Sequence, residues 1–268
     1  MPKVTVNDIE MYYEVHGGGT PLVMIMGWGG TINEWPSELI KHLTQKHKVI
    51  LFENRAIGRT TIPKEDFTIR TMADDTIGLL DQLKIEKAHF YGTSMGSAIG
   101  QELLVNYPHR IYGLVITAGA ARLKPRVRSP MALEIAPLLM TPPEGMTEDE
   151  IIDQFLKLLF TEKYIEEHKE QARSMVKEFF SREPVKSKGR GMQWKAIQKS
   201  YPPVINTPTL IIHGDMDTFV PVENARILHR NIQGSKLIVY EETGHMLAEV
   251  GDRLAEDIIE FLNEVEKR

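Results

Sequence analysis

The sequence predicts an α/β protein: a mostly parallel central sheet flanked by helices, with a helical insertion after the sixth strand. Three observations carry that expectation. Short β-rich apolar runs alternate with amphipathic stretches of helical period. Several of those runs are unbroken, as strands buried on both faces are. Between about residues 122 and 203 the alternation stops and only helical patterns remain.

Taken in order, residues 3–7 and 11–15 alternate polar and apolar side chains and read as an antiparallel hairpin at one sheet edge. Strands follow at 21–26, 49–52, 88–91, 114–117, 209–213 and 237–240. Between them, Trp35, Leu39, Ile40 and Leu43 mark one helix, and Ala73, Ile77, Leu80 and Leu83 another. Leu254, Ile258, Phe261, Leu262 and Val265 mark a third at the C-terminal end. These stripes are core and carry no chemistry. In the strandless segment, Ile151, Ile152, Phe155, Leu156 and Leu159 form one apolar face, and Met175, Val176, Phe179 and Phe180 another. Prolines at 125, 130, 137, 142, 143 and 184 cut the segment into short helices. Residues 1–121 and 204–268 are therefore expected to form the core domain, and 122–203 a helical insertion in it.

The bulk properties exclude several function classes. A chain of 268 residues with 42% hydrophobic and 26% charged side chains folds around a sizeable core. A net charge of -5 offers no grip on a phosphate backbone, so nucleic acid is excluded as a partner. Without cysteine, thiolate nucleophiles and Cys-ligated metals are excluded too. The N-terminal stretch lacks the continuous apolar core of a signal peptide and no window approaches a membrane span, so the expected location is cytoplasmic.

The chemistry concentrates in HFYGTSMGSAIGQELL, residues 89–104, where Ser94 stands between Gly92 and Gly96. A G-x-S-x-G match alone arises in roughly one random chain in ten of this length, given glycine near ~7% of residues. Its flanks make it specific: a strand precedes it, and Met95, Ile99 and Leu103 follow at helical spacing. That context is a nucleophile elbow, a tight strand-to-helix turn that lifts the hydroxyl clear of the sheet. The competing reading, a serine that merely caps the helix, gives no reason for the two glycines.

A serine nucleophile needs a histidine base oriented by a carboxylate, and in this kind of sheet both follow the serine in the chain. Of the nine histidines, only His229 and His245 lie beyond the acid-bearing loop GDMDTFVP, residues 214–221. His229 falls in a helix beginning near Pro221, so His245, in the loop EETGHML, is the expected base. For the acid, Asp215 and Asp217 compete, with Glu241 and Glu242 weaker because they precede the base in its own loop; Asp215 could serve only to shape its own turn, and chemistry alone does not separate the two aspartates. Two backbone N–H groups must also meet the oxyanion. Met95, directly after the nucleophile, supplies one, and Trp28 in the glycine-rich loop after LVMIM supplies the other.

Together LVMIMGWGG, ENRAIGRTT, GTSMG with QELLVNYPHRIYGLVI, HGDMDTFVP and TGHM resemble the α/β-hydrolase superfamily, in particular its lid-bearing esterase, C–C hydrolase and enol-lactonase group. The resemblance runs over nearly the whole chain. It implies that G-x-x-D-x-x-x-P carries the triad acid, which selects Asp217, and that Asn54, Arg55, Gly58 and Thr60 shape the floor near the site. Met26-Gly27 departs from the His-Gly of many relatives, and Ser97 from a second glycine after Gly96. The resemblance further implies that residues 122–203 are a helical cap over the active site; their Met and Phe faces either pack the cap onto the core or line an apolar acyl or alcohol pocket with Trp194 at its entrance. The run Arg122, Lys124, Arg126 and Arg128 reads as a solvated charged surface.

The expected activity is hydrolysis of a small-molecule carboxylic ester of largely apolar character through an acyl-enzyme, with Ser94, His245 and Asp217 as triad. No cofactor and no metal is expected, since neither H-E-x-x-H nor a dinucleotide-binding G-x-G-x-x-G occurs. The same triad could serve C–C bond hydrolysis, enol-lactone opening or a lyase reaction. An intact triad weighs against a ligand receptor built on the hydrolase scaffold. Neither a membrane nor a nucleic acid is expected as partner, and a homodimer stays open.

Overall fold

A computed structural model describes residues 2–121, 127–139, 143–181, 187–197 and 207–267. The expected cap limits at 122 and 203, the basic residues Arg122, Lys124 and Arg126, and the side chains of Phe179 and Phe180 lie outside the described residues.

The architecture is the α/β-hydrolase fold. Its strands are β1 (Lys3–Val6), β2 (Ile9–His16), β3 (Thr20–Ile25), β4 (His47–Phe52), β5 (Ala88–Thr93), β6 (Ile111–Thr117), β7 (Thr209–Gly214) and β8 (Lys236–Tyr240). They form one sheet in the order β1-β2-β4-β3-β5-β6-β7-β8. The β1–β2 hairpin is antiparallel and sits at the edge, β2 runs antiparallel to β4, and all later pairings are parallel.

Period-two alternation divides the core. Val23, Ile25, Ile50 and Phe52 point to the face covered by α2 (Ile69–Gln82), α3 (Met95–Asn106) and α8 (Glu223–Asn231). Leu22, Met24, Val49 and Leu51 point to the other, covered by α1 (Ser37–Leu43) and α9 (Arg253–Glu266). Between β6 and β7 the described elements are all helical: α4 (Pro130–Ile135), α5 (Glu148–Leu159), α6 (Glu162–Ser181) and α7 (Ser187–Ile197). A capping box of Thr147 and Glu150 starts α5, whose face of Ile151, Ile152, Phe155, Leu156 and Leu159 is buried in the same cluster as α2 and α3. No helix among the described residues is long and apolar enough to cross a membrane.

The stretch after β4 is a buried polar scaffold. Arg55 Nε and Nη2 donate to the two Asp75 carboxylate oxygens at 2.5 and 2.7 Å, and Nη2 also reaches Asp8 Oδ1 at 3.0 Å. Both Arg55 and Asp75 are buried. Burial pushes the Asp75 carboxyl above its ordinary range, and Arg55 pulls it back only in part. Nearby, Asn54 Nδ2 donates to Met26 O at 3.1 Å, which ties this scaffold to the end of the β3 segment.

Two predictions concern stability. Asp75→Asn leaves a buried guanidinium with only the exposed Asp8 to face it, and is expected to cost about 3 kcal/mol in denaturant unfolding. His89 lies at the amino end of β5, fully buried beside His47, and each ring Nε2 is 3.4 Å from Glu266 Oε1. Burial pulls the His89 imidazole down to about 4, helped by His47 and Lys87 and opposed by Glu266. The unfolded chain therefore takes up a proton near pH 6.5 that the folded chain refuses until about pH 4. Stability is expected to be complete above that window and to fall through it as pH drops, by on the order of 3 kcal/mol. Urea melts from pH 7 to 4 check this, and the slope should flatten in His89→Gln.

Candidate active site

The turn from β5 into α3 is one residue long, and that residue is Ser94, at φ 51 and ψ -114. A side chain held there is strained, and the surroundings must hold it. They do so by close approach. A Cβ on Gly96 would lie 2.0 Å from Ile25 O, and one on Gly92 only 2.3 Å from Gly96 O. The Ser94 amide donates to Thr117 O at 2.9 Å, pinning the turn to β6. Its hydroxyl makes no capping bond to α3. The capping explanation of this serine therefore fails.

Instead the hydroxyl meets His245. Ser94 Oγ lies 3.1 Å from His245 Nε2, and His245 Nδ1 lies 2.8 Å from Asp217 Oδ2. A carboxylate only accepts, so Nδ1 carries the proton and Nε2 is left to accept from the serine. Phe219 packs against the imidazole with ring centroids 4.8 Å apart. The histidine loop is held from below by Glu249, which accepts from the Gly244 amide at 2.5 Å and from the Thr161 amide at 2.9 Å.

Asp217 is buried, and its charge is fully met. Oδ1 accepts from the Phe219 and Val220 amides at 2.9 and 2.7 Å. Oδ2 faces both His245 and, at 3.1 Å, His213 Nε2, which also donates to Val220 O at 2.7 Å. Burial alone would raise this carboxyl, yet the facing His245 and the hydrogen bonds from His213 and His245 together hold it below the usual carboxylate range. Asp215 plays a different part, because its Oδ1 accepts from the Thr243 amide at 3.3 Å and so joins the acid loop to the histidine loop. His229 is elsewhere, in α8, with Nδ1 2.8 Å from Ser235 Oγ.

Gly27 brings the loop after β3 against the serine; a Cβ there would stand 3.2 Å from Ser94 Cβ. Beside it, the backbone amides of Trp28 and Met95 donate to no group among the described residues. Two cavities open from Ser94, sharing Trp28 and Phe219 in their walls. The larger, about 130 Å³, runs under Phe155, Leu159, Met175 and Val176 beside His245. The smaller, about 80 Å³, runs past Met95 and Ala98 to Trp194 and exposed Arg128. Among the described residues, no cluster of three or more His, Asp or Glu could hold a metal ion.

Sequence reasoning missed His213, Phe219 and Gln193, whose side-chain oxygen accepts from the Gly29 amide at 2.9 Å. His213 precedes the acid loop in the chain, where the expected triad order places no base. Its position four residues before Asp217, at the end of a buried strand, was the available signal.

A family profile for the alpha/beta hydrolase fold matches residues 20–252, and the chain belongs to that family. Over 145 residues it is 34% identical to an Azorhizobium caulinodans protein with the provisional name carbamate hydrolase RutD, a match covering 54% of each chain. The chain thus spans about half the length of the curated relatives it matches at this level. Similar folds are those of the enol-lactonase from Burkholderia xenovorans LB400 and a thermophilic esterase from Thermogutta terrifontis. The first has a TM-score of 0.82 at 24% identity, covering 98% of this chain and 100% of that one. The second has a TM-score of 0.81 at 24% identity, covering 98% of both.

His213→Leu removes one of the hydrogen bonds that hold the Asp217 carboxyl down, so its titration should move to higher pH. Carbon-detected NMR of the Asp217 carboxyl in both proteins reads the shift, and an unmoved titration would show that His213 contributes nothing to it.

Proposed function

We propose that this chain is a serine hydrolase that cleaves carboxylic esters of small to medium, largely apolar acids and alcohols. The observation that carries the reading is the unbroken relay from Ser94 Oγ to His245 Nε2 at 3.1 Å and from His245 Nδ1 to Asp217 Oδ2 at 2.8 Å.

In this mechanism Ser94 Oγ bonds to the ester carbon while its proton passes to His245 Nε2. The carbonyl pair moves onto oxygen, where the Trp28 and Met95 amides receive the charge. Asp217 keeps the imidazole in the productive tautomer and faces the imidazolium that forms. Collapse of the intermediate expels the alkoxide, which takes the proton from Nε2, and water repeats the sequence on the acyl-enzyme. The reaction written this way uses no cofactor and no metal. The two apolar cavities meeting at Ser94 suit an ester whose acyl and alcohol halves are both apolar. The helices α4 to α7 act as the cap that keeps water from that meeting point.

The match to a protein with a carbamate hydrolase name favours a second reading, in which the same relay attacks a carbamate carbonyl.

A fluorophosphonate probe is expected to label Ser94 in the wild type and nothing in Ser94→Ala, and that variant should lose roughly 10⁶ in turnover of p-nitrophenyl butyrate. Asp217→Asn should lose about 10⁴. Folded wild-type protein that takes no label would end the hydrolase reading. Turnover compared across p-nitrophenyl esters of increasing acyl length, an aryl carbamate and a ring-cleavage diketone ranks the candidate bonds.

A further inference from the structure

We propose that Gln193, on helix α7, is a positioning residue that sets the oxyanion loop, so that the electrophilic site is complete only when α7 is seated. The inference rests on the serine-hydrolase reading and adds to it a residue 99 positions beyond the nucleophile.

The loop from Gly27 to Gly30 has a soft point. Gly29 sits at φ +72, a region glycine occupies at no steric penalty, so the peptide joining Trp28 to Gly29 can rotate about bonds that resist little. Trp28 Cα joins that peptide to the one carrying the Trp28 N–H, so drift of an unanchored Gly29 end displaces Trp28 Cα and with it the Trp28 amide, one of the two donors assigned to the oxyanion. Something must hold it.

The holder is a side-chain amide. Gln193 is 0% exposed. Its Oε1 accepts from the Gly29 amide at 2.9 Å, and its Nε2 donates to Arg55 O at 3.1 Å. Each bond enforces the other. Turning the side-chain amide over would set Oε1 against the Arg55 carbonyl and Nε2 against the Gly29 N–H, losing both bonds in a dry site. Flipping the Trp28–Gly29 peptide would set the Trp28 carbonyl against Oε1, again two acceptors face to face. The Arg55 backbone is itself fixed, because its guanidinium is clamped by Asp75 and Asp8.

The rest of α7 keeps Gln193 in register. A Cβ on Gly189 would lie 2.0 Å from Ala56 O, so the helix approaches the scaffold loop as closely as backbone allows. The Trp28 indole N–H donates to Arg190 O at 2.9 Å, and the Trp28 ring packs on Trp194 with centroids 5.0 Å apart. Residues 189, 190, 193 and 194 thus share the helix face that meets the loop.

The test uses full-length Gln193→Met, close in volume but without either bond, and Gln193→Glu, which keeps an acceptor for the Gly29 amide. Three quantities are read: kcat and KM for p-nitrophenyl butyrate, inhibition by an alkyl trifluoromethyl ketone whose serine adduct carries an oxyanion, and the thermal midpoint. We expect Gln193→Met to lose about 10- to 100-fold in kcat, the size of a small misplacement, with KM unchanged within about twofold. Inhibition should weaken by the same factor, the pH profile should stay in place, and Gln193→Glu should recover part of the loss. A Gln193→Met protein with wild-type kcat and inhibition overturns the proposal, as does a loss that appears only in KM or only in the thermal midpoint. Should the variants fail to fold, amide exchange at Gly29 of the wild type decides: slow exchange supports the strut, and exchange at the rate of an open loop overturns it. Wild-type protein unlabelled by the fluorophosphonate would sink both this inference and the hydrolase reading, whereas labelled wild type with an indifferent Gln193→Met sinks this one alone.

Discussion

Everything at the carboxyl edge of the sheet depends on how closely the β5–α3 turn approaches the end of β3. The α3 backbone at Gly96 passes within a side chain's width of Ile25 O, and Gly92 faces Gly96 O in the same way. That approach holds Ser94 at a positive φ and sets its hydroxyl against the loop beginning at Gly27. Any side chain at these glycines would push the helix off the strand. Ser94 would then leave the loop that carries the Trp28 amide, so the packing of α3 on β3 decides what the hydroxyl faces.

The fold, Ser94 and His245 were readable from local signals, each for its own reason, whereas Asp217 was picked out only by the family resemblance. Strands β3, β5 and β7 carry apolar runs, interrupted only by His89 in β5 and closed by His213 in β7, because helices bury both their faces, and each ends at a loop whose composition marks it. Ser94 was legible because a strained turn admits few residue types around it. Asp217 was not separable from Asp215 by chemistry alone. Both stand in one turn, and only the fold reveals that Asp215 faces the Thr243 amide while Asp217 faces the imidazole. Gln193 was out of reach for a deeper reason. Its partners lie 164 and 138 residues away, and it stands itself in the segment where prolines interrupt the periodicity that lets a face be assigned. A residue whose meaning is a long-range contact leaves no local mark.

The buried polar groups form a chain of supports, from Asp75 through Arg55 and Gln193 to the Gly29 amide. As a source of stability such a chain is inefficient, since desolvating the Asp75 carboxylate offsets much of what its pairing returns. Its value is directional. An apolar contact would tolerate small slides of the loop, whereas two hydrogen bonds from one rigid amide define both a distance and an orientation. A site whose donors must point at a position where charge has not yet formed needs that kind of support.

The same logic governs the acid. Asp217 gathers two backbone amides and two imidazoles around a carboxylate that burial would otherwise neutralise. The groups that offset its desolvation are in place before any proton moves. In the proposed reaction an imidazolium at His245 would meet a charge already present and already oriented, so the surroundings would not need to rearrange as the barrier is crossed. His213 is informative on this point. Its Nε2–H is shared between Val220 O and Asp217, so it adds polarity at the carboxylate and leaves the contact with Ser94 to His245. The geometry separates the two imidazoles: His245 joins Asp217 to Ser94, and His213 joins it to Val220 O.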